Sequence, residues 1–287
     1  MSLPKVGITA GDPAGIGPEI ARKAIADPRV RAVCEPQFYG SRQSFEPGVL
    51  SAAAGRAAYE TIVRAVRDAQ AGRIHAIATA PINKEALALA ELPWRGHTEM
   101  LASLTNAANV AMMFWSEKLR VVLATIHIPL SSVPGALTIE SVTAIIELTN
   151  RELPRFGIAR PRLALAGLNP HAGEHGVLGR EEVDVLEPAI ARSRRAGVDI
   201  SGPFPGDTVF LRAMRGEFDL VIACYHDQGL IPVKMAAFGQ AVNVTLGLPI
   251  IRTSVDHGTA FDIAGKGIAD PESLVQAVLL AAKLANG

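Results

Sequence analysis

Cysteine is nearly absent: Cys34 and Cys224 are the only two, far apart in 287 residues, and neither belongs to a CxxC pair. That excludes a disulfide framework and a thiolate metal cage, and leaves buried thiols in a reducing compartment as the expectation. Aromatic residues are scarce, at 5% against a hydrophobic fraction of 49%. The core must therefore be built from Ala, Val, Ile and Leu, as in parallel sheets covered by helices. Net charge is also missing, since 28 Lys plus Arg balance 28 Asp plus Glu. No global field draws nucleic acid or an anionic membrane, so any anion must be held by local basic groups. No window approaches the ~20 apolar residues of a membrane span, and the opening MSLPKVGITAGDPAG has no apolar stretch of signal-peptide length. A soluble cytoplasmic protein with neither nucleic-acid nor membrane partner is expected.

What is present is an alternation of short apolar runs and amphipathic segments, without repeats, low-complexity tracts or long linkers. Strands are expected at Lys5–Thr9, 37–39, 77–79, 111–114, 120–125, and near Leu163, Leu220, Val242 and Ile250. Helices are expected over 18–26, 56–70, from the segment PINKEALALA, over 139–153, from Glu181 and Glu182, and over 271–284. Glu181 and Glu182 suit a helix N-terminus by charge. The pattern is α/β. Polar, glycine-rich stretches at 94–99 and 238–243 are the candidate crossings between two lobes, the first formed by 1–95 and 242–287 and the second by 96–241.

Three histidines lie just past strand-like runs: His127 in VVLATIHIPL, His171 in LALAGLNPHAGE and His226 in DLVIACYHDQG. Ligands of open α/β sheets bind outside the carboxyl ends of the strands. A single strand-end histidine usually satisfies backbone groups or caps a helix. Three in equivalent positions, with Asp227 beside one and Asp207 in another polar loop, point to a divalent cation held by three ligands with further positions open, the pattern of a catalytic metal. His75 and His175 lack that placement and read as ordinary surface or loop residues.

The glycine loop GDPAGIGPE is neither GxGxxG nor a P-loop, and a tight strand-to-helix turn accounts for it. In RGHTEM, Thr98 suits an N-cap as well as a substrate contact. Further on, Lys234, Asn243 and Arg252 flank short apolar runs in one region. Together they suit a phosphate or carboxylate, Arg by a two-pronged contact and Lys as a point charge. The segment DHGTAFDIAGKG combines close-spaced glycines with Asp262, which suits a cofactor loop and equally a structural turn.

The motifs GDPAGIGPE, GHTE, the His127 loop, GLNPHAGE, GPFPGDT, YHDQGL and VNVTLGLPIIRTSVDHGTA, in this order and nearly end to end, resemble the 4-hydroxythreonine-4-phosphate dehydrogenase family of vitamin B6 biosynthesis. The segment HGTAFDIAGKGIADP also resembles the cofactor loop of isopropylmalate and isocitrate dehydrogenases. The resemblance implies their two-lobed α/β/α fold, with an active site in the inter-lobe cleft and an obligate homodimer. It implies that His127, His171 and His226 bind a divalent cation, commonly zinc with magnesium or cobalt as alternatives, through ligands shared across the dimer. It assigns substrate contacts to His97, Thr98, Lys234, Asn243 and Arg252, and lays NAD, or NADP, against the segment that includes Gly258, Asp262 and Gly265. The implied reaction oxidises the alcohol of 4-phosphohydroxy-L-threonine and releases carbon dioxide to give 3-amino-2-oxopropyl phosphate. Asp207, Asp227 and Lys234 are the candidates for the general base. Relatives acting on D-threonate or D-erythronate 4-phosphate, relatives oxidising aromatic cis-dihydrodiols, and a non-catalytic metal- or anion-binding protein on the same scaffold are the alternatives. This chain also departs from the family pattern in being shorter, with the deficit between Tyr39 and Tyr59.

Overall fold

The computed structural model describes residues 2–94 and 96–286. Arg95, which opens RGHTEM, lies outside them. Packing divides the chain into two units, Met1–Val110 with Gly239–Gly287, and Ala111–Phe238.

In the first unit the strands run in the order Glu35–Tyr39, Lys5–Thr9, Ala76–Thr79, Ile251–Ser254 and Val242–Leu246. The first four are parallel, and the last is antiparallel to its neighbour. Val6, Ile8, Ala76, Ile77 and Ala78 are almost wholly buried. A strand covered on both faces reads as a continuous apolar run, which is why these short segments are legible. The helix Ala52–Gln70 starts where the Ser51 hydroxyl accepts from the Ala54 amide at 3.1 Å. It turns Ala58, Ile62, Ala65 and Val66 inward. Met100 and Leu101, on the helix His97–Thr105, join Ile62, Ile77 and Leu87 in the core of this unit. Each large side chain so buried contributes roughly 1.5–3 kcal/mol. That packing carries the first unit on to Val110.

In the second unit the order is Ala111–Trp115, Arg120–Leu123, Leu220–Ala223, Leu163–Ala166 and Ile200–Phe204. The first pair forms an antiparallel hairpin and the other pairings are parallel. The helix Ile139–Glu152 opens with a reciprocal cap between Thr138 and Ser141. Elements not anticipated include the strand Ile200–Phe204 and the helices Pro28–Val33, Val133–Ala136, Val209–Met214 and His226–Ala237. His226 is accordingly the first residue of a helix, not a loop residue. Among the described residues, no helix is long and apolar enough to cross a membrane.

Candidate active site

Arg120–Leu123, Leu220–Ala223 and Leu163–Ala166 are parallel neighbours, so the residues that follow them emerge on one side of the sheet. His127 follows the first with a left-handed backbone, φ 44°. His226 follows the second, and the two imidazole rings lie 5.6 Å apart between centroids. Asp227 Oδ1 is 2.7 Å from His226 Nδ1 and fixes that ring. A cavity of about 240 Å³ opens against both, lined also by Thr125 and Tyr225. Two imidazoles on one ion, at N–metal distances of ~2.0–2.1 Å, place their ring centres roughly 5–6 Å apart, so His127 and His226 fit as two of a cation's ligands.

His171 does not join them. It lines a separate cavity of about 1080 Å³ with Asp207, Tyr225, Asp227 and Gln228. Among the described residues, no three His, Cys, Asp or Glu side chains gather as a metal group. Two of the three expected ligands therefore meet within one chain, and the third faces a neighbouring space that shares Tyr225 and Asp227 with the first. Asp207 and Asp227 are both exposed.

The turn bearing His171 is unusual. His171, Ala172, Gly173, Glu174 and His175 are all left-handed, with φ of 53°, 52°, 78°, 44° and 54°. Such a backbone costs each non-glycine residue roughly 1–2 kcal/mol, so something must hold it. Gly167, where the turn begins, donates its N–H to Phe204 O at 2.7 Å. Its carbonyl accepts from Gln228 Nε2 at 2.7 Å, and Gln228 Oε1 accepts from the Cys224 amide at 2.7 Å. The next two amides, of Leu168 and Asn169, both donate to Glu182 Oε1 at 2.7 Å. Asn169 Nδ2 donates to Glu182 Oε2 at 2.9 Å and to Glu181 Oε2 at 2.7 Å. Glu182 is 1% exposed. The acidic pair read as helix-start charges thus also serves the preceding turn. The signal in the sequence was the turn itself, whose buried amides need acceptors.

In the first unit, Arg252 is 2% exposed and, among the described residues, its side chain bonds only to hydroxyls. Its Nε and Nη2 donate to Thr79 Oγ1 at 3.2 and 2.8 Å, and Nη1 donates to Thr245 Oγ1 at 2.9 Å. No carboxylate among the described residues neutralises it, and burial pushes its pKa down to about 9. Ser254 pairs with Asn243 in the ladder and with Thr79 in the next one. Strand alternation therefore puts Arg252, Ser254, Thr245 and Asn243 on one face. Among the described residues, Asn243 Oδ1 is buried without a partner, and so is His97 Nε2. Burial, then the Arg252 charge, holds the His97 pKa well below the usual imidazole value. Thr98 is 8% exposed and is the second residue of its helix, whose N-cap is Gly96, so it is not the cap. A buried cation beside unpaired polar atoms is the chemistry of a site that takes an oxyanion bearing hydroxyl groups. Lys234 lies in the other unit, exposed on the helix His226–Ala237.

Gly258, Asp262 and Gly265 lie on an exposed loop of the first unit. That loop is anchored: Ile16 N–H donates to Thr259 O at 3.0 Å, and the Glu19 carboxylate accepts from Gly267 and Ala269. Lys23 Nζ donates to the carbonyls of the same two residues at 2.9 and 2.7 Å. Between Tyr39 and the helix at Ala52 the chain makes a short loop whose Gly48 amide donates to Ala14 O at 2.7 Å. Asp12, in GDPAGIGPE, is fully buried, and burial raises its pKa.

Residues 18–281 match the family described as pyridoxal phosphate biosynthetic protein PdxA. A 4-hydroxythreonine-4-phosphate dehydrogenase of Desulforapulum autotrophicum is 45% identical, covering 97% of this chain and 95% of that protein. A D-threonate 4-phosphate dehydrogenase of Cupriavidus necator is also 45% identical, covering 99% and 98%. Their aligned lengths of 322 and 326 positions exceed the 287 residues here, so both alignments open gaps in this chain. The crystal structure of 4-hydroxythreonine-4-phosphate dehydrogenase from Klebsiella pneumoniae superposes with a TM-score of 0.90 at 40% identity, covering 99% of each chain. An isocitrate dehydrogenase of Methylococcus capsulatus, 18% identical with a TM-score of 0.55, shares the fold.

Proposed function

The chain belongs to the PdxA family, and from that premise we propose that it is an NAD(P)-dependent dehydrogenase of a phosphorylated hydroxy acid. It oxidises the secondary alcohol of 4-phosphohydroxy-L-threonine and releases carbon dioxide, giving 3-amino-2-oxopropyl phosphate. The observation that carries this reading is Arg252, a guanidinium buried with no carboxylate beside it among the described residues. In such a site an anionic group of the substrate supplies the missing charge through a forked contact, and His97, Asn243 and Thr98 bind its polar atoms. His97, held neutral, offers a hydrogen bond without adding positive charge. Lys234 is assigned to the same substrate by family likeness.

His127 and His226 would hold a divalent cation, with His171 as the third ligand, supplied by a second copy. When bound, the cation would supply Lewis-acid stabilisation of the alkoxide, and NAD or NADP would serve as hydride acceptor. This chain's own part is to orient and to move protons. Asp227 keeps the His226 ring in place. Asp207 and Asp227, both open to the cavity, and Lys234 are the candidates to take the alcohol proton. The homodimer has further support in the exposed apolar side chains of Ile231, Met235 and Phe238, at 59%, 84% and 81%. The cofactor is assigned to the loop of Gly258, Asp262 and Gly265, and the protein to the cytoplasm. A D-threonate 4-phosphate dehydrogenase is the second reading, favoured by the equal identity to relatives of either name.

The test follows NADH absorbance with NAD, a divalent cation and each of three compounds: 4-phosphohydroxy-L-threonine, D-threonate 4-phosphate and unphosphorylated hydroxythreonine. Turnover of a phosphorylated compound alone is expected. Equal rates with and without the phosphate, or none with any, reject the reading.

A further inference from the structure

Glu182 is a buried carboxylate with no cationic partner among the described residues. Its oxygens are instead filled by N–H donors of the segment that leads into His171. The fit is close on both sides. A Cβ at Gly173, where φ is +78°, would stand 2.6 Å from Glu182 Oε2, and one at Gly167 would stand 3.3 Å from Oε1. The backbone has wrapped around this carboxylate, and among the described residues no other side chain accepts from the amides of Leu168 and Asn169. Gln228 spans Cys224 N–H and the Gly167 carbonyl, locking the end of one strand to the end of its neighbour. Gln228 stands two residues after His226 on the same helix. The group that fixes the start of the His171 turn is thus carried by the element that begins with His226.

We propose that Glu182 is a positioning residue of the reaction: its carboxylate, together with Gln228, sets the left-handed turn that presents His171 to the cavity. Glu182 is not among the residues that line the cavity; it acts through the peptide planes of Leu168 and Asn169. The proposal uses the dehydrogenase reading for its kinetic readout and stands apart from it in its structural one.

The experiment compares wild type with Glu182→Gln. The amide replaces one acceptor oxygen by a donor, which then faces Asn169 Nδ2 or a peptide N–H. Backbone hydrogen exchange is measured across Leu168 to Gly176, with kcat and KM on whichever phosphorylated hydroxy acid the wild type oxidises. Expected are faster exchange confined to that turn and a fall in kcat of about 10–100-fold with KM within about threefold, the scale seen when a group that orients a ligand is changed. Gln228→Leu, which releases Gly167 while leaving Glu182 in place, should show the same confined pattern, and it carries the test if Glu182→Gln does not fold. Wild-type kcat in both variants overturns the proposal. So does faster exchange spread evenly over residues 111–238, which marks general loss of stability. If the wild type itself turns over no phosphorylated acid, the dehydrogenase reading fails. The exchange pattern then still decides whether Glu182 sets the turn.

Discussion

Replacing Arg252 by Met separates a substrate-binding guanidinium from a structural one. Burial pushes its pKa well below the usual guanidinium value, to about 9, equivalent to roughly 5 kcal/mol spent on holding a charge that no carboxylate among the described residues neutralises. Its three charge-assisted hydrogen bonds to Thr79 and Thr245 return about 1.5–3 kcal/mol each, or roughly 5 kcal/mol together at the low end of that range. In the empty protein the two nearly cancel, so Arg252→Met should leave the unfolding free energy within about 2 kcal/mol of wild type. The balance changes when an oxyanion arrives. Removing one partner of a buried charge pair costs about 2–5 kcal/mol, a fall in kcat/KM of roughly 30- to 4000-fold. The assay pairs initial rates of NADH formation with thermal melts with and without inorganic phosphate. Wild type should melt higher with phosphate, and the variant should not respond. A variant that binds phosphate like wild type, or one that loses several kcal/mol of stability with phosphate absent, refutes the reasoning.

Two further outcomes follow. The His97 pKa is depressed in the folded state, so the stabilisation tied to its neutral form is complete above pH 6.5. It is lost as the pH falls below that value, with a slope of at most ~1.4 kcal/mol per pH unit. Urea unfolding at a series of pH values should show that slope in wild type and lose it in His97→Gln; equal slopes would contradict the burial argument. Asp227→Asn replaces the acceptor that fixes His226 and should weaken divalent-cation affinity by about 10–100-fold, read by calorimetric titration; unchanged affinity would show that His226 is oriented otherwise.

The buried strands of both units were legible because a run such as VGIT or LALA, covered on both faces, needs no partner to be recognised. The helix His226–Ala237 was not. It begins with the polar run HDQG, contains Pro232, and buries only Gly229, Leu230, Val233 and Ala237, so its periodicity is faint. Ile200–Phe204 hid for another reason: Gly202 and Pro203 are strand breakers tolerated at the edge this strand occupies. The placement of His127 and His171 at strand ends was readable from local sequence. Their separation in one chain was not, because it depends on where two left-handed turns aim their side chains. The role of Glu182 was hidden for a related reason. A carboxylate at a helix start satisfies a local rule whether or not it also binds a turn thirteen residues away.

The central claim is oxidation of a phosphorylated hydroxy acid followed by loss of its carboxylate. Counting NADH and carbon dioxide together in one reaction, with 4-phosphohydroxy-L-threonine labelled at its carboxyl carbon, tests it most directly. One labelled carbon dioxide should appear for each NADH. NADH without labelled carbon dioxide would reduce the protein to a simple alcohol dehydrogenase. Neither product, from this substrate or from D-threonate 4-phosphate, would contradict the account.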